Sequence, residues 1–298
     1  MSVQKYLSRQ SPTVRGGLWM MAAALSFTIM TTLIREVAKE IHPFEIGFFR
    51  CVTNFLLMLP FVLRTGPSIW DTGNHKMYVF RAIVGTCFLL TYFSGAALIP
   101  ISDSQALYFT SPLFGTLLVI IFLGERIRSR RILALIAGFC GALIILRPGV
   151  NEVSIGAILV LLGALANATS SSMLKYFTRT DHPDKVVFYH MLYSTPLMLI
   201  PALLFWTTPT LEQLGLMAGV GLFATLNQRF LTRAFATDDA SVVFTFDFAR
   251  LPFAALIGWL VFSEIPDIWV WVGGAVIFLS SVYIVRREAA LKSQKNQK

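Results

Sequence analysis

Ten stretches of mostly apolar residues follow one another along the chain, separated by short polar segments. They cover residues 16–34, 44–63, 78–98, 104–123, 130–147, 154–174, 186–206, 211–233, 241–262 and 267–285. A helix of about 20 apolar residues crosses the hydrocarbon core of a lipid bilayer. The pattern therefore predicts an all-α integral membrane protein with ten transmembrane helices and no soluble domain.

The composition agrees with this pattern. Of the 298 residues, 55% are hydrophobic and 14% are charged, whereas soluble domains carry roughly 25% charged residues. A soluble enzyme, a disordered chain and a disulfide-built scaffold are therefore not expected. The net charge of +9 comes from short basic clusters between apolar stretches and forms no continuous basic face, so no nucleic-acid partner is expected.

The placement of lysines and arginines predicts the orientation in the membrane. If the N-terminus is cytoplasmic, most basic residues between the spans or at their ends fall on the cytoplasmic side, including Arg81 and Arg233, which we count with the loops. Only Arg35, Lys39 and Arg147 fall on the other side. Cytoplasmic loops of membrane proteins are enriched in these residues. We therefore predict a multi-pass membrane protein with both termini in the cytoplasm.

The chain contains an internal repeat. Four pairs of similar positions are separated by about 140 residues: His42-Pro43 and His182-Pro183, Met58-Leu59-Pro60 and Leu199-Ile200-Pro201, Pro112 and Pro252, and Gly124-Glu125 and Ser263-Glu264. We therefore predict two five-helix repeats, residues 16–147 and 154–287. Because five is odd, the second repeat enters the bilayer from the opposite side, an inverted topology that many secondary transporters use for alternating access.

Several of these residues resemble a known family. His42-Pro43-Phe44-Glu45 leading into Phe48-Phe49-Arg50, and Pro112 followed by Gly124-Glu125, resemble the EamA-type transporters of the drug/metabolite transporter superfamily. Within the family the chain looks most similar to the branch containing bacterial S-adenosylmethionine and riboflavin uptake carriers. The second repeat departs from the pattern, with His190 in place of Arg50 and Ser263 in place of a glycine. The resemblance implies transport of a small organic metabolite across the bacterial inner (plasma) membrane.

Charged residues within spans are candidates for the substrate site, because burying them in a membrane is costly. Asp247 and Arg250 lie three residues apart in the ninth span, close enough to pair on one helical face. Arg229 in the eighth span could join them. The three residues are predicted either to bind a charged or polar group of the substrate or to take up a coupling proton. The alternative is a permanent ion pair that only holds two helices together.

Four further residues are substrate-site candidates. Tyr108 and Asn167 lie on faces rich in small and hydroxyl-bearing residues, which either line a cavity or allow close helix packing. Trp19 and Tyr92 could stack on a flat aromatic substrate. Aromatic side chains near helix ends also serve as interfacial anchors, so both interpretations remain open.

Gating or structural roles are predicted for five positions: Arg50, Pro112, Pro252, Glu125 and Glu264. Arg50 either pairs with an acidic group such as Asp103 or lines the pathway, and we favour the pair. The two prolines remove a helix hydrogen bond and are predicted to act as hinges or static kinks. The two glutamates lie at matching helix ends, which favours local backbone or loop contacts.

These features together predict a secondary transporter for a small organic metabolite. A channel or a non-transporting scaffold is the alternative, followed by an intramembrane enzyme. The sequence contains no Walker motif, no G-x-S-x-G and no H-E-x-x-H, so we expect no catalytic residues, no metal and no cofactor. The expected partners are the substrate and the lipid bilayer, and a homodimer remains open.

Overall fold

The computed structural model describes residues 12–70, 72–123, 129–147, 154–177, 183–237 and 244–296. Within these ranges every regular element is a helix, and no residue is in a β-strand. The prediction of an all-α protein is confirmed for this part of the chain.

The helices follow the predicted spans. They are α1 (Pro12–Val37), α2 (Pro43–Thr65), α3 (His75–Leu98), α4a (Ile101–Tyr108) with α4b (Ser111–Leu123), α5 (Ser129–Leu146), α6 (Ile155–Phe177), α7 (Pro183–Leu204), α8 (Leu211–Thr237), α9 (a 3-10 turn, Phe244–Ala249, continued by an α-helix, Arg250–Phe262) and α10 (Ile268–Asn296). The ten predicted spans thus each correspond to one helix or to one pair of consecutive helical pieces.

The outer surface of the bundle is apolar. Large aliphatic side chains are strongly exposed there, among them Leu63, Leu204 and Leu260. In the described ranges, four helices are long and apolar enough to cross a membrane by themselves: Val14–Val37, Pro43–Thr65, His75–Leu98 and Lys185–Leu204. Such a surface is unfavourable in water and suits lipid, so the chain is a multi-pass membrane protein.

The fourth and ninth spans are interrupted at corresponding positions. In the fourth span the helix stops at Tyr108 and resumes at Ser111, so Pro112 is the second residue of α4b. In the ninth span a 3-10 turn comes first and the α-helix begins at Arg250, which places Pro252 in its first turn. The first turn of a helix accommodates proline because its N–H groups have no intrahelical partner. Each proline therefore lies at a restart and not inside a continuous helix, and its role as a hinge or a static kink stays a prediction.

Helices of one half pack mainly against helices of the other half. The most extensive contacts join α1 to α8, α3 to α6, α5 to α10 and α2 to α7. Exchanging the two halves turns the first pairing into the second and leaves the third and fourth unchanged. The contacts thus follow the pseudo-two-fold relation of two inverted five-helix repeats, and the predicted fold class is confirmed.

Glycines allow the closest of these helix crossings. A Cβ atom on Gly141 of α5 would lie 2.8 Å from the carbonyl oxygen of Gly273 of α10, and one on Gly273 would lie 2.5 Å from the carbonyl oxygen of Gly141. Real Cβ atoms do not approach backbone this closely, so only glycine fits at both positions. Small residues at helix interfaces permit such contact in membrane proteins.

Candidate functional site

A cavity with a volume of about 540 Å³ lies between the two halves. Residues of α1, α2, α3 and α4a line it from the first half, and residues of α6, α7, α8 and α9 from the second. In the described part of the chain, only α4b, α5 and α10 contribute nothing to its wall. The volume falls in the range of roughly 300–1,000 Å³ that is typical of small-molecule sites.

The restart of the ninth span places an ion pair beside this cavity. Asp247 lies in the 3-10 turn and Arg250 is the first residue of the following α-helix. Arg250 Nη2 donates to Asp247 Oδ1 at 2.6 Å, and the two residues are only 6% and 4% exposed. Arg250 is part of the cavity wall, whereas Asp247 is not. Asp247 therefore contacts Arg250 from outside the cavity wall, and the arginine itself faces the cavity.

Aromatic rings surround the guanidinium of Arg250. Its Cζ atom lies 4.4 Å from the ring centroid of Phe27 and 5.5 Å from that of Tyr108. The rings of Phe27 and Tyr108 stack with centroids 5.3 Å apart, and Tyr92 lies 5.1 Å from Tyr108. Attraction between a cation and aromatic faces adds to the ion pair in fixing Arg250.

Four more arginines and a histidine belong to the cavity wall. They are Arg50, Arg81, Arg229, Arg233 and His190. Arg81 is buried, and its Nη1 lies 3.5 Å from the carbonyl oxygen of Val186. Arg229 and Arg233 are exposed, and the guanidinium of Arg233 lies 5.1 Å from the ring of Trp19. The cavity is thus rich in cations from both halves.

Amides and hydroxyls complete the polar part of the wall. Asn167 Nδ2 of α6 donates to Ser111 Oγ at 3.0 Å, at the start of α4b. Thr225 of α8 donates to Asn54 of α2, and Asn227 Nδ2 donates to the carbonyl oxygen of Ala23 at 2.9 Å. All three contacts join one half to the other.

One end of the bundle is closed by ion pairs between the halves. Arg35, near the end of α1, forms a bidentate pair with Glu264, which follows α9, and one of its bonds measures 2.6 Å. Arg147, which follows α5, pairs with Asp267 just before α10. Bidentate arginine–carboxylate pairs are the strong, geometrically specific form of this contact. Glu264 therefore makes a long-range contact, and the prediction of local contacts for it was wrong.

Two further contacts lie at the same end. Gln213 Nε2 donates to Glu40 Oε2 at 2.6 Å, and the backbone N–H of Thr207 donates to Glu45 Oε2 at 3.0 Å. Each joins the first half to the second.

His42 lies at this end too, as the N-cap of α2. Its Nδ1 accepts a hydrogen bond from the backbone N–H of Phe44, and its ring stacks on Phe205 at 4.2 Å. Burial lowers the pKa of His42 below its ordinary value. The neutral ring is therefore favoured.

Comparison with known proteins settles the family. The profile of the EamA-like transporter family matches residues 14–147 and again 154–286. The chain belongs to this family. It is accordingly a membrane transporter and not an enzyme, and the family predicted from the sequence is confirmed.

Curated relatives of this EamA-like chain match it over nearly its whole length. A riboflavin transporter of Rhizobium johnstonii is 33% identical over 93% of each chain. A pseudopaline exporter of Pseudomonas aeruginosa is 32% identical over 91% of this chain and 96% of its own. An S-adenosylmethionine uptake transporter of Rickettsia bellii is 24% identical over 93% of this chain and 95% of its own. A crystal structure of a protein aligns with a TM-score of 0.62 at 18% identity, over 91% of this chain and 98% of that one, which supports the fold.

The structure brings some of the predicted site residues of this EamA-like chain together and separates others. The residues in the cavity wall are Arg250, Arg229, Asn167, Tyr108 and Arg50. Tyr92 is fully buried behind Tyr108, and Trp19 stacks on Phe230 with ring centroids 5.6 Å apart. Neither side chain belongs to the wall, and Glu125 lies outside the described residues.

The expected pair between Arg50 and Asp103 does not form. Asp103 accepts a hydrogen bond from Ser102 instead, and Arg50 faces the cavity near the ring of Phe93. Arg50 lies two helical turns inside α2, whereas Asp103 lies in the first turn of α4a. The favoured interpretation of Arg50 as one partner of this ion pair was therefore wrong.

Three arginine or histidine residues of the cavity wall, Arg81, Arg233 and His190, were not among the predicted site residues. Arg81 and Arg233 were assigned to the cytoplasmic loops, and His190 was noted only as a departure from the repeat. The sequence does contain a signal for Arg81, because Arg81, Gly85 and Phe88 follow helical spacing along one face of α3. All of these residues line the cavity.

Proposed function

We propose that this protein is a secondary transporter that carries a small organic metabolite through the central cavity by alternating access. One observation carries the proposal: the cavity lies between two inverted repeats whose contacts close one end with ion pairs. Exchanging the conformations of two inverted repeats closes the open end and opens the closed one. The closed end also favours a carrier over a channel, because a channel needs a continuous path.

The cavity extends toward the end formed by the beginning of α3 and the end of α8. Arg81 lies in the second turn of α3, and Arg233 lies near the last turn of α8. This is also the end at which α1 begins. We propose that the protein lies in the inner membrane of a bacterial cell with both termini in the cytoplasm. The distribution of basic residues supports this orientation. The conformation is then open to the cytoplasm.

The names of the relatives support a small organic metabolite as substrate. They refer to riboflavin, pseudopaline and S-adenosylmethionine, and they include both uptake and export. The cavity volume of about 540 Å³ is compatible with molecules of this class. We propose that Arg250, Asn167, Tyr108 and Arg229 contact the substrate and that Asp247 positions Arg250.

Counterflow in liposomes tests the proposal. Purified protein is reconstituted into vesicles loaded with an unlabelled compound, and uptake of the labelled compound is measured without ATP. A carrier gives saturable uptake that the internal compound accelerates. Uptake that rises without saturation, and that the internal compound does not accelerate, would identify a channel instead. Protein-free vesicles and the variant Arg64→Gln, changed at an exposed residue outside the cavity wall, serve as controls.

A further inference from the structure

The charges of the cavity wall are strongly one-sided. Five arginines and one histidine line it, and no aspartate or glutamate among the described residues does so. Asp247, behind the wall, compensates Arg250. The other four arginines make no ion pair with any acidic side chain that the structure describes.

Three of these guanidinium groups have a buried Nε atom with no hydrogen-bond partner in the part of the chain that the structure describes. They belong to Arg50, Arg81 and Arg250. Arg81 is 8% exposed and Arg250 is 6% exposed. Each guanidinium carries five N–H donors and no acceptor, so the wall offers donors that the acidic groups of a ligand can satisfy.

Such an arrangement is unfavourable unless a ligand completes it. Cations at membrane depth are costly and normally pair with an acid or a carbonyl oxygen, and buried charges without a partner destabilise a protein strongly. The closed end shows the ordinary solution, since Arg35 and Arg147 each pair with a carboxylate there. In the cavity wall, Arg250 pairs with Asp247 and Arg81 contacts a backbone carbonyl oxygen. Arg50, Arg229 and Arg233 form no ion pair with a carboxylate that the structure describes.

We infer that the transported substrate is an organic anion with about two negative charges or more, carried by carboxylates or by a phosphate. The inference rests on the proposed transport function and specifies its substrate class. The acidic groups bind the guanidinium groups of the wall, and an apolar or aromatic body lies against Phe27, Phe88 and Tyr108, which belong to the same wall.

The arginines come from both halves, which gives the anion a second role. Arg50 and Arg81 belong to α2 and α3, whereas Arg229 and Arg233 belong to α8. Because α8 is part of the second repeat, an anion that contacts both groups reduces their mutual repulsion and links the repeats across the open end. Substrate binding thereby favours closure of that end, as transport requires.

Matched pairs of compounds test the inference on the full chain. Riboflavin 5′-phosphate and riboflavin differ in one phosphate, and isophthalate and its dimethyl ester differ in two carboxylates. S-adenosylmethionine serves as the cationic probe. Binding is followed by thermal stabilisation in detergent, where a ligand raises stability according to its concentration and dissociation constant. Transport is followed by counterflow.

We expect at least one anion to bind at least about tenfold more tightly than its uncharged counterpart, because hydrogen bonds to charged groups are worth about 1.5–3 kcal/mol. A preference within the riboflavin pair indicates that the cavity binds phosphates, and a preference within the isophthalate pair indicates that it binds carboxylates. Counterflow of the neutral or cationic compounds without the anions would overturn the inference and leave the transport function intact. Binding of anions without any counterflow would contradict the transport function alone, and absence of both would overturn both.

Variants locate the effect in the cavity. Arg50→Gln and Arg81→Gln should each weaken anion binding about tenfold and leave binding of uncharged compounds unchanged. Arg64→Gln removes one charge outside the cavity wall and should change neither. Arg81→Lys keeps the positive charge at this buried position and should therefore retain part of the anion preference. Equal loss of anionic and neutral binding in all cavity variants would overturn the inference.

Discussion

The two ends of the bundle use the same residue type in opposite ways. At the closed end, Arg35 and Arg147 bind the carboxylates of Glu264 and Asp267, and each pair joins one half to the other. Toward the open end, Arg81 and Arg233 line a cavity whose described wall contains no carboxylate. The surroundings of an arginine therefore determine its role in this membrane protein. At the closed end arginines join the two halves, and in the cavity we propose that they bind the substrate.

The difference also explains how one fold can hold two conformations. The contacts at the closed end are partly exposed ion pairs, and solvent exposure reduces what each contributes to stability. The pairings of α1 with α8 and of α3 with α6 are related by exchange of the halves, so the same kinds of helix contact are available to both conformations. The balance between the ends therefore depends on a few polar contacts and on the ligand.

The largest expected effect comes from the buried pair beside the cavity. Arg250→Gln leaves Asp247 buried without a partner, which should lower the free energy of unfolding by about 3–5 kcal/mol and abolish transport. The double variant Asp247→Asn with Arg250→Gln removes both charges and should recover most of the stability but no transport. Thermal unfolding and counterflow measure the two effects. Normal transport by the double variant would remove the pair from the mechanism.

A substitution at the glycine crossing of α5 and α10 should lower stability. Gly141→Ala forces a methyl group toward the backbone of Gly273 and should lower the free energy of unfolding by about 1–3 kcal/mol. Gly215→Ala is the matched control, since a Cβ atom there meets nothing within 4 Å. Thermal unfolding of both variants checks the prediction, and equal stability of the two would show that the α5–α10 crossing is loose.

Removing a contact at the closed end should shift the balance between the ends. Arg35→Gln loses a pair whose side chains are 19% and 23% exposed, worth about 0.5–1 kcal/mol. The population open at that end should then rise about two- to fivefold. A single cysteine at Ser170 in the cavity wall, in a chain without its native cysteines, reports this by labelling with an impermeant reagent from each side.

The charge-reversed double variant, Arg35→Glu with Glu264→Arg, restores the pair and should restore the original labelling. If Arg35→Gln labels as the parent does from both sides, the pair does not hold the end closed.

The smallest effect concerns pH. Because burial lowers the pKa of His42, the stability that it contributes is complete above the ordinary histidine pKa and is lost as the pH falls below it. Between about pH 7.5 and about pH 5.5, thermal stability should therefore fall less in His42→Gln than in the parent protein. An identical pH profile for the two proteins would show that His42 is equally easy to protonate in the folded and unfolded chain.

The helices and the repeat could be predicted from the sequence, but the positions of several charged side chains relative to the cavity could not. The ten apolar stretches predict the helices, because the length and hydrophobicity of a span are local properties of the sequence. The four repeated positions divide the chain into two halves, and the odd number of helices in each half predicts the inversion. Counting basic residues between stretches, however, assigned Arg81 and Arg233 to loops, although both line the cavity. A charge near the end of a span looks the same in sequence whether it faces a headgroup or a cavity.

Contacts between distant helices were the other limit. Glu264 pairs with Arg35 across 229 positions of the chain, and no local pattern indicates that partner. The break after Tyr108 was also missed, because a proline in an apolar stretch is compatible with a kink as well as with a restart. The Asp247–Arg250 pair was predicted correctly because three residues on a helix bring two side chains together.

Helices of one half pack mainly against helices of the other half, and this has a consequence for how the protein is made. The main partner of α1 is α8, which begins at Leu211. At a synthesis rate of about 5–20 residues per second, α1 waits roughly 10–35 s in the membrane before that partner emerges. The first five helices are thus inserted without their final neighbours. The same arrangement means that two gene fragments, each encoding five helices, should yield polypeptides that assemble with each other more readily than either folds alone.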